Sequence, residues 1–240
     1  MTSSPIIDRT AAAPISWGVC EAPGWGHEMK PDRVLGEMRE LGLRTTELGP
    51  TGYLGAQPKD VRDELDRYDM HLIGGFLPVP MHIDAALDLG EATEAIATLA
   101  AGGSEVVVLA ARSADGSYDY KVPLNDEEWT ILLANLDRLQ QVVREHDMTP
   151  TLHPHVGTAI EDSVAVLRLL ESSDVLLCLD TGHLLIGGMQ PLDLLSVAAD
   201  RIAHVHLKDV NETVAATVAA GQASYIGAVR QGLYTPLGDG

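Results

Sequence analysis

Five of the nine histidines in this 240-residue chain lie between His153 and His206. They fall in three groups: His153-Pro-His155, Asp180-Thr-Gly-His183 and His204-Val-His206. Residues two apart on an extended chain point to the same side. Each H-x-H pair therefore turns two imidazoles to one face, with Leu152 and Pro154, or Val205 and Leu207, on the other. Between the pairs, the apolar run Val175 to Leu179 ends abruptly in the carboxylate of Asp180. Neutral imidazole together with carboxylate suits a divalent ion such as Mn²⁺, Co²⁺ or Zn²⁺. A single histidine of this kind is more often a hydrogen-bonded core or surface group, and a strand-end Asp is often only a helix cap. Two H-x-H strands flanking an Asp-bearing strand reverse that preference for the set.

Other polar residues have two readings each. Glu47 ends a short apolar run before Gly49-Pro50, as a pocket group or as a solvated edge. Glu161 follows Thr158 by three residues, which fits a capping box as well as an acid or base. Lys208 and Asp209 either meet substrate or pair with each other. Trp17-Gly18 and Pro23-Gly-Trp25-Gly would make an aromatic wall for a sugar ring, although Trp is more frequently packed in a core. Gly182 would let the chain bend so that His183 faces the same cavity. His153, His183, Glu161 and Lys208 are the candidates for acid, base or substrate contact. The motifs G-x-S-x-G, G-x-G-x-x-G after the first strand and G-x-x-x-x-G-K-[ST] are absent.

These residues need a scaffold, and the chain alternates short apolar runs with helical patterns. The runs are Ile15 to Cys20, Leu43 to Leu48, His71 to Val79, Glu105 to Ala110, Thr149 to His155, Val175 to Asp180 and Ile202 to Lys208. Val34, Leu35, Met38 and Leu41 share one helical face behind Pro31. Trp129, Leu132, Leu133, Leu136, Leu139 and Val143 form another, with Asn125 and Glu128 spaced as a capping box. A further helix is expected over about residues 212–231. Sustained β-α alternation implies a parallel sheet. The five histidines fall at strand C-termini, where a (β/α)8 TIM barrel places its chemistry. The expectation is one α/β TIM-barrel domain over residues 1–240. Seven strands are counted, and an open seven-stranded barrel would leave bare edges, so a C-terminally truncated barrel lacking the eighth strand and helix is expected.

The formal net charge is −19. Such a surface repels nucleic acid and anionic membranes. Cys20 and Cys178 form no metal or disulfide spacing. The N-terminus is not a convincing signal peptide, no run approaches the length of a membrane span, and cytoplasm is the expected compartment.

Several stretches resemble the xylose-isomerase-like TIM-barrel superfamily of sugar isomerases, epimerases and related lyases. They are Pro14-Ile-Ser-Trp-Gly-Val-Cys20, Glu47-Leu-Gly-Pro-Thr-Gly-Tyr-Leu54, His153 to Glu161, Asp180 to His183 and His204 to Asp209. The H-P-H-x-G-T-x-x-E and E-L-G-P-x-G-Y-L stretches are similar to its inosose dehydratase branch in particular. The resemblance implies one divalent metal, Mn²⁺ or Co²⁺ first and Zn²⁺ or Mg²⁺ as further fits. It implies His155, Asp180 and His206 as three ligands, with no counterpart here of the family's strand-8 Glu. Many epimerases carry Glu at the first position, and a His there fits the dehydratase branch better. The implied activity is dehydration of a keto-cyclitol of the 2-keto-myo-inositol type through proton abstraction next to the carbonyl and an enediolate. Trp17, Glu47, His183 and Lys208 would contact substrate, and relatives suggest a homodimer. Three other readings compete: a keto-sugar isomerase or epimerase, a degenerate sugar-binding barrel, and an apurinic-endonuclease-type phosphodiesterase, which the acidic charge opposes.

Overall fold

A computed structural model describes residues 5–20, 26 and 29–240; Pro23 and Trp25 lie outside them. The elements are α1 (Pro31–Glu40), β1 (Thr45–Glu47), α2 (Pro58–Asp66), β2 (His71–Val79), α3 (Gly90–Gly102), β3 (Val106–Ala111), α4 (Asp126–Glu145), β4 (Thr149–Leu152), α5 (Ser163–Ser172), β5 (Leu176–Asp180), α6 (Thr181–Ile186), α7 (Pro191–Ala198), β6 (Ile202–His206), β7 (Asp209–Val210), α8 (Glu212–Ala219), α9 (Tyr225–Arg230) and β8 (Tyr234–Thr235). Strands β1 to β6 hydrogen-bond in sequence order in one sheet, while β7 and β8 form a separate antiparallel pair. β3 is buried at all six positions, as a strand covered on both faces must be.

The chain divides into two compact units. The first comprises Met1–Leu77, Gly90–Val107 and Val142–Thr149; the second comprises Pro78–Leu89, Val108–Gln141 and Pro150–Gly240. In the first unit α1 buries Val34, Leu35 and Met38, but Leu41, expected on the same face, is the C-cap residue and is 66% exposed. β1 and β2 pair in parallel, Thr45 opposite His71. The expected first strand, Ile15 to Cys20, does not form. Pro14–Trp17 is a 3-10 turn, and Ala12 alone bridges to Thr46. Pro14, with its fixed φ and no N–H, favours a turn start over a ladder position.

In the second unit β4, β5 and β6 are parallel, with Asp180 directly opposite His206. Val205 and Leu207 were expected to pack under helices, yet they are 47% and 62% exposed. No described strand lies beyond β6 to continue that layer. The expected helix over 212–231 breaks into α8 and α9, because Ser224 opens a new helix by accepting the Gly227 N–H at 3.1 Å. Val156, Ile186, Val210, Ala215, Tyr225, Ala228 and Leu233 form one buried cluster that fastens these C-terminal elements to α6 and to the turn after β4. No helix among the described residues is long and apolar enough to cross a membrane.

The capping box ahead of α4 is formed: the Asn125 N–H donates to Glu128 Oε2 at 2.8 Å, and the Glu128 N–H to Asn125 Oδ1 at 3.0 Å. Asn125→Ala is expected to lower the unfolding free energy by about 1 kcal/mol. Urea denaturation should show a lower midpoint with an unchanged slope.

Candidate metal and proton-transfer site

β4 stops at Leu152, three residues short of the expected strand, but the His153 N–H still reaches Leu109 O at 2.8 Å and prolongs the ladder by one bond. A tight turn follows. The His155 N–H donates to Ile160 O at 2.9 Å, and the Thr158 hydroxyl to His155 O at 2.7 Å. Gly157 has φ +74°, and a Cβ built there would lie 2.0 Å from Tyr118 O, so only glycine fits. Thr158 and Glu161 do not make the capping box that their spacing suggested. Asp162 caps α5 instead by accepting the Ala165 N–H at 3.0 Å, and Glu161 Oε2 accepts the Gly157 N–H at 2.9 Å. Burial pushes the Glu161 carboxyl up.

Asp180 has no solvent exposure. Its two oxygens are used differently. Oδ1 accepts the His183 N–H at 3.0 Å and caps α6, so the plain structural role foreseen for a strand-end Asp is real. Oδ2 is shared by the Lys208 ammonium, by His153 Nε2 at 3.3 Å and by His206 Nδ1 at 3.5 Å. Burial alone would raise this carboxyl. The Lys208 ammonium, the largest opposing influence, outweighs burial and holds it well below the usual carboxylate range.

Backbone acceptors fix the imidazole tautomers. His153 Nδ1 lies 2.7 Å from Pro154 O, and His155 Nδ1 lies 2.7 Å from Val156 O. A carbonyl cannot donate, so both rings carry their proton on Nδ1 and keep the Nε2 lone pair. His183 is the reverse. Its Nδ1 accepts the Val156 N–H at 3.3 Å, which leaves Nε2–H to donate to Tyr234 Oη at 3.4 Å. Tyr234 in turn exchanges a hydrogen bond with Tyr225 at 2.9 Å. Burial keeps all three rings neutral: it lowers His153 to about 4 and takes His155 and His183 well below the ordinary histidine value.

The structure thus brings together His153, His155, Asp180, His183, His206 and Lys208. Ligand atoms of His153, Asp180 and His183 lie within 4.8 Å of one another. The His155 ring stacks on His183 at 3.7 Å and lies 5.3 Å from His153. His204 contacts His206, centroids 5.3 Å apart. Lys208 and Asp209 do not pair with each other, since Asp209 Oδ2 accepts the N–H groups of Gly238 and Gly240. Gly182 sits within α6 rather than in a bending loop. A Cβ there would meet Lys208 Cβ at 2.8 Å and the Tyr234 ring at 3.1 Å, so its use is close approach. Trp17 and Glu47 belong to the first unit. The Trp17 indole N–H donates to Glu37 on α1 at 2.7 Å, and Glu47 closes β1. Tyr118, Tyr225 and Tyr234 are the contributors that pattern reading missed. In a chain with 4% aromatics, two tyrosines nine residues apart after the last histidine were the available signal.

The family model described as xylose isomerase-like TIM barrel matches residues 35–240. An inosose dehydratase of Geobacillus kaustophilus (strain HTA426) is 33% identical over 97% of this chain and 79% of its own length. Among solved structures, the probable 3-DHS dehydratase AsbF of Bacillus anthracis superposes with a TM-score of 0.67 at 16% identity, over 96% of this chain and 84% of that one. The IOLI protein with a bound zinc atom gives 0.63 at 13% identity, over 84% and 73%. At such identities the two structures establish the TIM-barrel fold alone.

The neutral histidines make stability depend on pH. The His153 value falls from 6.5 to about 4 on folding. Between those limits the unfolded chain binds the extra proton, so this stabilisation is complete above pH 6.5 and is lost as pH falls towards 4. It amounts to roughly 3 kcal/mol. Urea denaturation in EDTA at pH 7 and pH 4.5 should show the loss, and His153→Gln should diminish it, with His155 and His183 keeping their share.

Proposed function

Because the chain belongs to the xylose isomerase-like TIM-barrel family and is an enzyme of its dehydratase or isomerase/epimerase type, we propose that it dehydrates a keto-cyclitol of the 2-keto-myo-inositol type, using a divalent metal held at Asp180. The substrate class rests on the relatives named inosose dehydratase. One observation carries the site. His153 Nε2 and His206 Nδ1 approach the fully buried Asp180 Oδ2 at 3.3 and 3.5 Å, so two imidazoles and one carboxylate oxygen converge on one point.

The donor set fits such an ion. Asp180 gives the anionic oxygen, and His206 together with one ring of the His153/His155 pair gives imidazole nitrogen. His153 stands nearest to Asp180, and His155 is the ring implied by family resemblance. The carbonyls of Pro154 and Val156 act as outer partners that hold both rings in the ligating tautomer. A bound divalent ion supplies the Lewis acidity that favours enolisation beside a ketone. His183, with Nδ1 engaged and Nε2–H donating, serves as a hydrogen-bond donor towards Tyr234 rather than as a ligand. Glu161, its carboxyl raised by burial, accepts the proton taken from the carbon next to the carbonyl. Water loss at the neighbouring carbon then needs a donor, and Lys208 is the charged group at hand.

Incubation with 2-keto-myo-inositol and Mn²⁺ or Co²⁺ should give a product lighter by one water, measured by mass spectrometry. Asp180→Asn should abolish this turnover, and Glu161→Gln should lower kcat by about 10²–10⁴-fold. Full activity of Asp180→Asn would remove the metal site. Epimerisation of keto-sugars with no water loss would move the enzyme to the isomerase/epimerase side.

A further inference from the structure

The Lys208 ammonium already stands where a cation is required. Three features put it there. Thr181 Oγ1 donates to Lys208 O at 2.6 Å and accepts the Lys208 N–H at 2.9 Å, which clamps the lysine backbone to the start of α6. Gly182 carries no Cβ, so Lys208 Cβ can lie against the helix. The side chain then reaches Asp180 Oδ2, the same oxygen that faces His153 and His206. The Lys208 side chain is 28% exposed, whereas Asp180 is fully enclosed. The lysine head therefore has a way out that the carboxylate lacks. Lys208 Nζ also lies 6.0 Å from the centroid of the Tyr234 ring, an aromatic face that attracts an ammonium.

We propose that Lys208 is a displaceable internal cation: it neutralises Asp180 in the metal-free protein and must leave Asp180 Oδ2, towards Tyr234 and solvent, for a divalent ion to bind. This deepens the metal-site reading and rests on it. A buried carboxylate left without a positive partner is strongly destabilising, so the lysine keeps the empty site folded. The same ion pair opposes metal entry, and it sets the metal affinity lower than the bare donor set would give. On metal entry the released ammonium becomes available to an oxygen of the substrate, which joins the two roles of Lys208 in one movement.

Two measurements test this. Calorimetric titration with MnCl₂ at fixed pH and ionic strength should show Lys208→Met binding Mn²⁺ at least tenfold more tightly than the parent, with Lys208→Arg close to the parent. Metal-free Lys208→Met should melt at a lower temperature and gain more from Mn²⁺. Independently of any folding defect in that variant, lysine-selective ¹³C NMR of the parent protein during a Zn²⁺ titration should shift the Lys208 Cε signal, assigned by its loss in Lys208→Arg. Equal or weaker Mn²⁺ binding by Lys208→Met, or a Lys208 signal unmoved at saturating Zn²⁺, overturns the displacement while leaving the metal site standing. Failure of both parent and variant to bind any divalent ion overturns the metal site itself and this inference with it.

Discussion

A carboxylate with no access to water must be surrounded by positive or hydrogen-donating groups, and Asp180 organises the second unit on those terms. Its helix-facing oxygen takes the His183 N–H at the start of α6, so strand and helix join without a loop. Its other oxygen faces a side chain from the turn after β4, one from β6 and one from the segment before β7. The parallel register of β5 and β6 sets Asp180 opposite His206, and so brings the second pair of histidines to the first. Removal of the Lys208 ammonium would unbalance a charge that solvent cannot reach.

The imidazoles around it are neutral for the same reason that the carboxylate is charged. Burial penalises every ion, and a single anion can be compensated where several cations cannot. Backbone carbonyls at Pro154 and Val156 then decide which nitrogen bears the proton, so the turn sequence His-Pro-His-Val-Gly-Thr sets ligand chemistry as well as geometry. Gly157, which lets the Tyr118 backbone close on the turn, is part of that device. The tyrosine pair from α9 and β8 completes the environment: Tyr234 accepts a hydrogen bond from His183 and shares one with Tyr225.

Much of this was legible in the sequence. The spacing of His204 and His206 follows from strand periodicity, whereas His153 and His155 lie past the end of β4 in a turn; β2, β3, β5 and α4 fall within a residue or two of their apolar patterns. The first strand was not legible, because Ile15 to Cys20 has strand-like composition while Pro14 ahead of it starts a 3-10 turn. The tautomers were hidden as well, since they depend on which carbonyl each ring meets. Thr158 and Glu161 carried a capping signature that a closer competitor, Asp162, took over. The partnership of Lys208 with Asp180 instead of Asp209 spans 28 residues, and no local rule anticipates it.

Anomalous diffraction at the manganese edge from crystals grown with Mn²⁺ tests the central claim most directly. One ion should be bonded to Asp180 Oδ2, to His206 and to a ring of the His153/His155 pair, with the lysine head withdrawn. An ion bound elsewhere, with Asp180 still paired to Lys208 at saturating Mn²⁺, would contradict it.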